Sequence, residues 1–118
     1  MTQTPATTMF DRGDVVLVEL VLSNQAGAKR RPALVISSPA YHESHQEVIV
    51  AAITSNVRLR LVGECPIVDW RPAGLLHPST VTGVLRTIPR SVIRRRLGAL
   101  SPVDLAAVNR ALRETLDL

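Results

Sequence analysis

A chain of 118 residues, 46% hydrophobic and 20% charged, is long enough for one domain with an apolar core and too apolar for a disordered segment. Its formal charge of +4 comes from thirteen arginines and one lysine, Lys29, which favours an anionic partner such as nucleic acid or an acidic peptide, although a coding preference for arginine gives the same bias without function. The single cysteine, Cys65, rules out an internal disulfide or a cysteine-built zinc site, and three aromatic residues (Phe10, Tyr41, Trp70) are too few for a sheet that stacks RNA bases.

Residues 1–10 read as a flexible N-terminal tail and 11–118 as a single domain. The tail has no basic-then-apolar signal pattern, and no apolar run approaches the roughly 20 residues of a membrane span, so a soluble, cytoplasmic protein is expected. Gly13-Asp14 leads into an apolar strand, Val15 to Leu22, in which Glu19 is the one charge. The polar stretch Ser23 to Arg30 reads as a loop, and Pro32 to Ser37 as a second strand with its proline at the start. Ser38-Pro39 breaks that strand.

Val48 to Thr54 is apolar on both faces and is expected to be central. After a basic-to-acidic loop from Asn56 to Glu64, short strands are expected at Pro66 to Val68, Ser79 to Thr82, Arg86 to Ile88 and Arg94 to Leu97. The C-terminus then changes character. Ser101 at an N-cap, Pro102 at the first helical position and Asp104 in the first turn start a helix, and Leu105, Val108, Leu112 and Leu116 mark its buried stripe. Many short strands closed by one helix is the pattern of a small β-barrel.

Six segments carry a family resemblance in the right order. They are Arg12 to Val18 (RGDVVLV), Lys29 to Ile36 (KRRPALVI), Val48 to Ser55 (VIVAAITS), Gly74 to Ser79 (GLLHPS), Arg86-Thr87-Ile88, and Leu97 to Ser101 (LGALS). Each is loose alone; together they resemble the MazF/PemK toxins of type II toxin–antitoxin systems. The resemblance implies a mostly β fold, an SH3-like small barrel of the MazF/CcdB type with a C-terminal α-helix. It implies a homodimer that cleaves single-stranded RNA (mRNA) without a metal or other cofactor. It also implies a cognate antitoxin whose acidic, disordered tail covers the active groove. A same-fold gyrase poison of the CcdB type, and a barrel with weakened chemistry that only binds nucleic acid or antitoxin, are the other readings.

Metal-free cleavage uses the ribose 2′-hydroxyl as nucleophile, so the protein must position the strand, move a proton and stabilise charge on the phosphoryl oxygens. Arg31 matches the family's catalytic arginine, and a guanidinium fork suits two phosphate oxygens. Its bland alternative is an ion pair with Asp14. Thr54 carries over as the catalytic partner on the scissile phosphate, against the reading of a plain strand-end threonine. Lys29, Arg30, Ser55, Ser79 and Arg86 are candidate RNA-binding residues; Arg86 alternatively supports the barrel by hydrogen-bonding loop carbonyls.

The pattern departs from the family at Gly83-Val84-Leu85, where many relatives carry an acidic residue that in some takes part in catalysis. Arginine is a poor base because its pKa lies above about 12, which leaves His42 or His45, in a loop expected at the surface, as a possible source. Two ligands in His42-Glu43-Ser44-His45 do not make a metal site. Arg94-Arg95-Arg96 reads as a charged edge strand or as a contact for RNA or the antitoxin, with Arg95 facing opposite its neighbours. Trp70 covers the barrel or meets a partner, and Cys65 is a small buried hydrophobe.

Overall fold

The computed structural model describes residues 10–21, 27–56 and 61–118. Alternation of apolar residues makes a hairpin of β1 (Asp14–Val21) and β2 (Ala28–Val35), paired antiparallel from Val15↔Leu34 to Val21↔Ala28. Residues directly opposite share a face, so Val15 and Leu34 point one way while Val16 and Ala33 point the other. A short helix, α1 (Pro39–Ser44), leads to β3 (Glu47–Thr54), then come β4 (Cys65–Pro66), β5 (Thr80–Pro89), β6 (Ile93–Ala99) and α2 (Pro102–Leu116). The six strands form one antiparallel sheet in the order β4-β5-β3-β2-β1-β6.

One face curls round a core of Val15, Leu34, Ala51, Ile53, Val81 and Leu100, which α2 covers with Val108. Val15, Leu34, Val81 and Val108 are fully buried, each contributing about 1.5–3 kcal/mol of transfer free energy. The opposite face gathers Phe10, Val16, Val18, Val35, Val48 and Val50 into a second cluster. Phe10 is buried there, so the folded unit reaches one residue into the expected tail. The rest of that tail, residues 1–9, lies outside the described residues.

The small barrel with a C-terminal helix is therefore present, closed by packing rather than by hydrogen bonds between edge strands β4 and β6. The turn after β4 provides the closure, because Gly74, at φ +86°, has Leu97 backbone where a Cβ would stand. A Cβ at Gly98 would sit 2.5 Å from the carbonyl oxygen of Ala73. Backbone against backbone has no room to give. Gly98→Ala should therefore lower stability by about 1–3 kcal/mol, read as a reduced midpoint in urea unfolding.

Several boundaries differ from the sequence expectation. Lys29, Arg30 and Arg31 lie within β2 rather than in a loop, because pairing with β1 outweighs the polar local composition. Pro32 consequently falls inside the strand. It is tolerated because the β2–β3 ladder runs only from Val35 to Ala33, leaving the strand at Pro32 paired on one side. Two expected short strands are one strand, β5, with the irregularity near Gly83 absorbed by a register shift between Ala51 and Ile53 of β3. The expected strand Pro66 to Val68 is the two-residue β4. Ser38-Pro39 does more than break a strand: Ser38 Oγ accepts from Tyr41 N at 3.2 Å and caps α1. The same Ser-Pro signature starts α2, where Ser101 Oγ accepts from Asp104 N.

Candidate functional site

Pro32 has no amide hydrogen to extend the β2–β3 ladder, and the ladder stops beside it. Its register, Ala33↔Ala52 and Leu34↔Ala51, carried two residues further sets Arg31 opposite Thr54. Where the strands part, a groove of about 500 Å³ opens, and both residues line it. Arg31 is exposed and makes no hydrogen bond or ion pair among the described residues. The alternative pairing with Asp14 does not occur, because Asp14 is held by Arg96 at 3.0 Å.

Thr54 is half-buried, and its Oγ1 accepts the amide hydrogen of Asn56 at 3.0 Å. That bond fixes the oxygen at the strand end and leaves its own hydrogen to donate. Ser55 is exposed beside it in the groove. Ser79 also reaches the lining but is buried, and its Oγ donates to the carbonyl of His77 at 2.8 Å. Its hydroxyl is thereby committed to shaping the turn.

Arg30 lines the groove while donating from Nε to Glu19 at 2.9 Å. That hydrogen bond is the chief reason the Glu19 carboxyl is held below the usual carboxylate range; Arg94, 3.4 Å away, adds to it and partial desolvation opposes it. Lys29 is exposed on β2 opposite Leu20 and lies outside the groove. Arg86 is exposed opposite Val50, in a second, more apolar hollow that it shares with Arg31, Val18, Leu20 and Ile88. No bond from Arg86 to a loop carbonyl is present among the described residues.

The Arg94–Arg96 run lies on the edge strand β6, with its members divided. Arg94 and Arg96 hold Glu19 and Asp14, whereas Arg95, opposite Leu17, turns into the groove. Trp70 packs on the core under α2, with the Arg71 guanidinium 4.9 Å from its ring centroid, and Cys65 is buried in the same core.

The two histidines considered as bases stand elsewhere. His42, expected at the surface, is buried: its Nδ1 donates to the carbonyl of Phe10 at 2.8 Å and its Nε2 meets Ser37 Oγ. A carbonyl can only accept, which assigns the proton to Nδ1. His45 is exposed but stacked on Tyr41 at 3.9 Å, next to the start of β3. Thr54 ends that strand, seven residues and roughly 23 Å away at 3.3 Å per residue. The histidine that does reach the groove is His77, exposed in the lining to which Arg31 and Thr54 also belong. Its segment, Gly74 to Ser79, carries part of the family resemblance but no signal for His77 itself, since that segment meets the end of β3 through the pairing of Thr54 with Thr80 and packs on β6 at Gly74 and Gly98. No aspartate or glutamate lines the groove. Among the described residues, no three His, Cys, Asp or Glu side chains gather to hold a metal ion, and no helix is long and apolar enough to cross a membrane.

Residues 11–116 match the family model described as PemK-like, MazF-like toxin of type II toxin-antitoxin system. The chain is 32% identical over 107 residues to endoribonuclease MazF6 of Mycobacterium tuberculosis, an alignment covering 81% of this chain and 86% of that protein. The solved Mycobacterium tuberculosis toxin MazF-mt6 is 31% identical with a TM-score of 0.69, covering 87% of this chain and 97% of that one. A MazE-MazF structure from Deinococcus radiodurans shares the fold at a TM-score of 0.79 and 20% identity, covering 95% and 99% of the two chains. The open end of the β2–β3 ladder thus belongs to a fold shared with RNA-cutting relatives, and the chain is a member of the family of PemK-like, MazF-like toxins of type II toxin–antitoxin systems.

Proposed function

We propose that this toxin is an endoribonuclease that cuts single-stranded RNA, such as mRNA, without a metal. The observation that carries the reading is the exposed Arg31, unpaired among the described residues, lining the same groove as Thr54. A phosphodiester resting there places its non-bridging oxygens within reach of the Arg31 fork and the Thr54 hydroxyl. Charge building on those oxygens as O2′ attacks is then met by the guanidinium fork and the hydroxyl. Arg30 and Arg95 extend positive charge along the path of the backbone, and Ser55 offers a further hydroxyl. Lys29 and Arg86 flank the groove rather than line it, and their part is to attract the strand. Ser79 supports the groove through the turn its hydroxyl holds.

The same cationic, carboxylate-free groove suits the acidic tail of an antitoxin, so RNA and antitoxin compete for it. A second copy of the chain is expected on the apolar face of the sheet. There the hollow lined by Val18, Leu20, Val50 and Ile88 extends to Val84, which is 57% exposed. Residues 11–118 act as one toxin domain, and the cytoplasm, where mRNA is found, is its place of action.

The test is incubation of the purified protein with single-stranded RNA in EDTA. Cutting should continue undiminished and leave 5′-hydroxyl ends, with 2′,3′-cyclic phosphate on the other fragment. Intact RNA under all conditions sinks the reading.

A further inference from the structure

Cleavage by O2′ attack needs a group to take the 2′-hydroxyl proton, and the residues before Arg86-Thr87-Ile88 are Gly83-Val84-Leu85, none of which can accept one. The chain has ten carboxylate side chains and three histidines, and all thirteen fall within the described residues. Residues 1–9, 22–26 and 57–60 contain none. None of the carboxylates lines the Arg31–Thr54 groove, His42 is buried with both ring nitrogens engaged, and His45 stands near the far end of β3.

We propose that His77 is the proton acceptor of the reaction, taking the 2′-hydroxyl proton of the nucleotide seated between Arg31 and Thr54. This rests on the ribonuclease reading above. The residue is exposed, so the imidazole can touch substrate, yet its backbone is held. Ser79 Oγ donates to its carbonyl at 2.8 Å, Ser79 O in turn accepts from Ile67 N at 2.9 Å, and Gly74 is clasped against Leu97. Among the described residues, the charged groups around the groove are Arg30 and Arg31 from β2 and Arg95 from β6, and the polar ones from the end of β3 are Thr54, Ser55 and Asn56. Guanidinium groups cannot accept a proton, and hydroxyls and amides do so only feebly. Imidazole is the side chain that ordinarily exchanges a proton between pH 5 and 8.

In the step, the 2′-hydroxyl proton passes to a ring nitrogen of His77 as the O2′–P bond forms. The P–O5′ bond breaks, and the departing 5′-oxygen takes a proton from water. The imidazolium then returns its proton to solvent. The products are a 2′,3′-cyclic phosphate and a 5′-hydroxyl, with no net change in the protein.

The experiment measures the rate of cutting of a short single-stranded RNA from pH 5 to 9 by the full chain, by His77→Gln and by His45→Gln. Glutamine keeps a polar side chain but cannot take the proton. His77→Gln should lose about 100- to 10,000-fold in rate and the rising acid limb of the profile. Its affinity for the same RNA carrying a 2′-deoxy sugar at the cut site should be unchanged. His45→Gln should behave as the full chain does, and added imidazole should restore part of the rate of His77→Ala. A folded His77→Gln protein that keeps both rate and acid limb overturns the assignment. So does one whose lost rate is matched by lost RNA binding. A wild-type protein that leaves RNA intact overturns the ribonuclease reading and this assignment with it.

Discussion

Arg31→Ala loses RNA cleavage by about 1,000-fold or more while its melting temperature stays at the wild-type value. The loss is large because the guanidinium opposes charge that exists only as O2′ attacks, so the ground state gains little from it and the transition state much. Stability is spared because Arg31 is exposed and pairs with nothing among the described residues, so its removal orphans no buried partner. Arg31→Lys separates charge from geometry. An ammonium keeps the positive charge but has no planar fork for two phosphate oxygens, so the variant should recover RNA binding better than it recovers rate. The measurement is single-turnover cleavage beside binding of an uncleavable 2′-deoxy RNA. An Arg31→Ala protein that is folded and cuts at the wild-type rate removes Arg31 from the chemistry.

Asp104→Ala unfolds at a temperature roughly 10 °C lower, from a loss of about 3 kcal/mol, although Asp104 is nowhere in the groove. Its side chain is 2% exposed and accepts two backbone amides, Val68 N at 3.0 Å and Asp69 N at 2.8 Å. It also sits in the first turn of α2, where an acid is favoured by the helix dipole. Alanine leaves both amides without a partner in a part-buried place. Those amides begin the segment that runs through Trp70 to the turn at Gly74 and His77, so the carboxyl holds the back wall of the groove to the helix. Thermal unfolding followed by circular dichroism checks the stability. A melting temperature within a degree or two of wild type would show that the segment is held by its apolar contacts instead.

Local chemistry alone determined much of this molecule. The periodicity of Leu105, Val108 and Leu112 with the Ser101-Pro102 cap marks α2, because a helix can be read from its own stripe and first turn. The apolar run Val48 to Thr54 marks the central strand, and Arg31-Pro32 with Thr54-Ser55 belongs to the pattern that marks the family. The helix α1 is not legible in the sequence: Ser38-Pro39 is the same start signal as Ser101-Pro102, but its six residues carry too little periodicity to mark a helix. Tertiary structure decided where side chains with the same chemistry are spent. Arg94 and Arg96 are consumed by Glu19 and Asp14 while Arg95 enters the groove, a division set by the register of β6 on β1 and its bulges. Of three histidines, one is buried against Phe10, one is stacked on Tyr41, and His77 lines the groove that Arg31 and Thr54 also line. That last placement depends on the pairing of Thr54 with Thr80 and on Gly74 and Gly98 letting two backbones touch, contacts between segments more than twenty residues apart that no local pattern encodes.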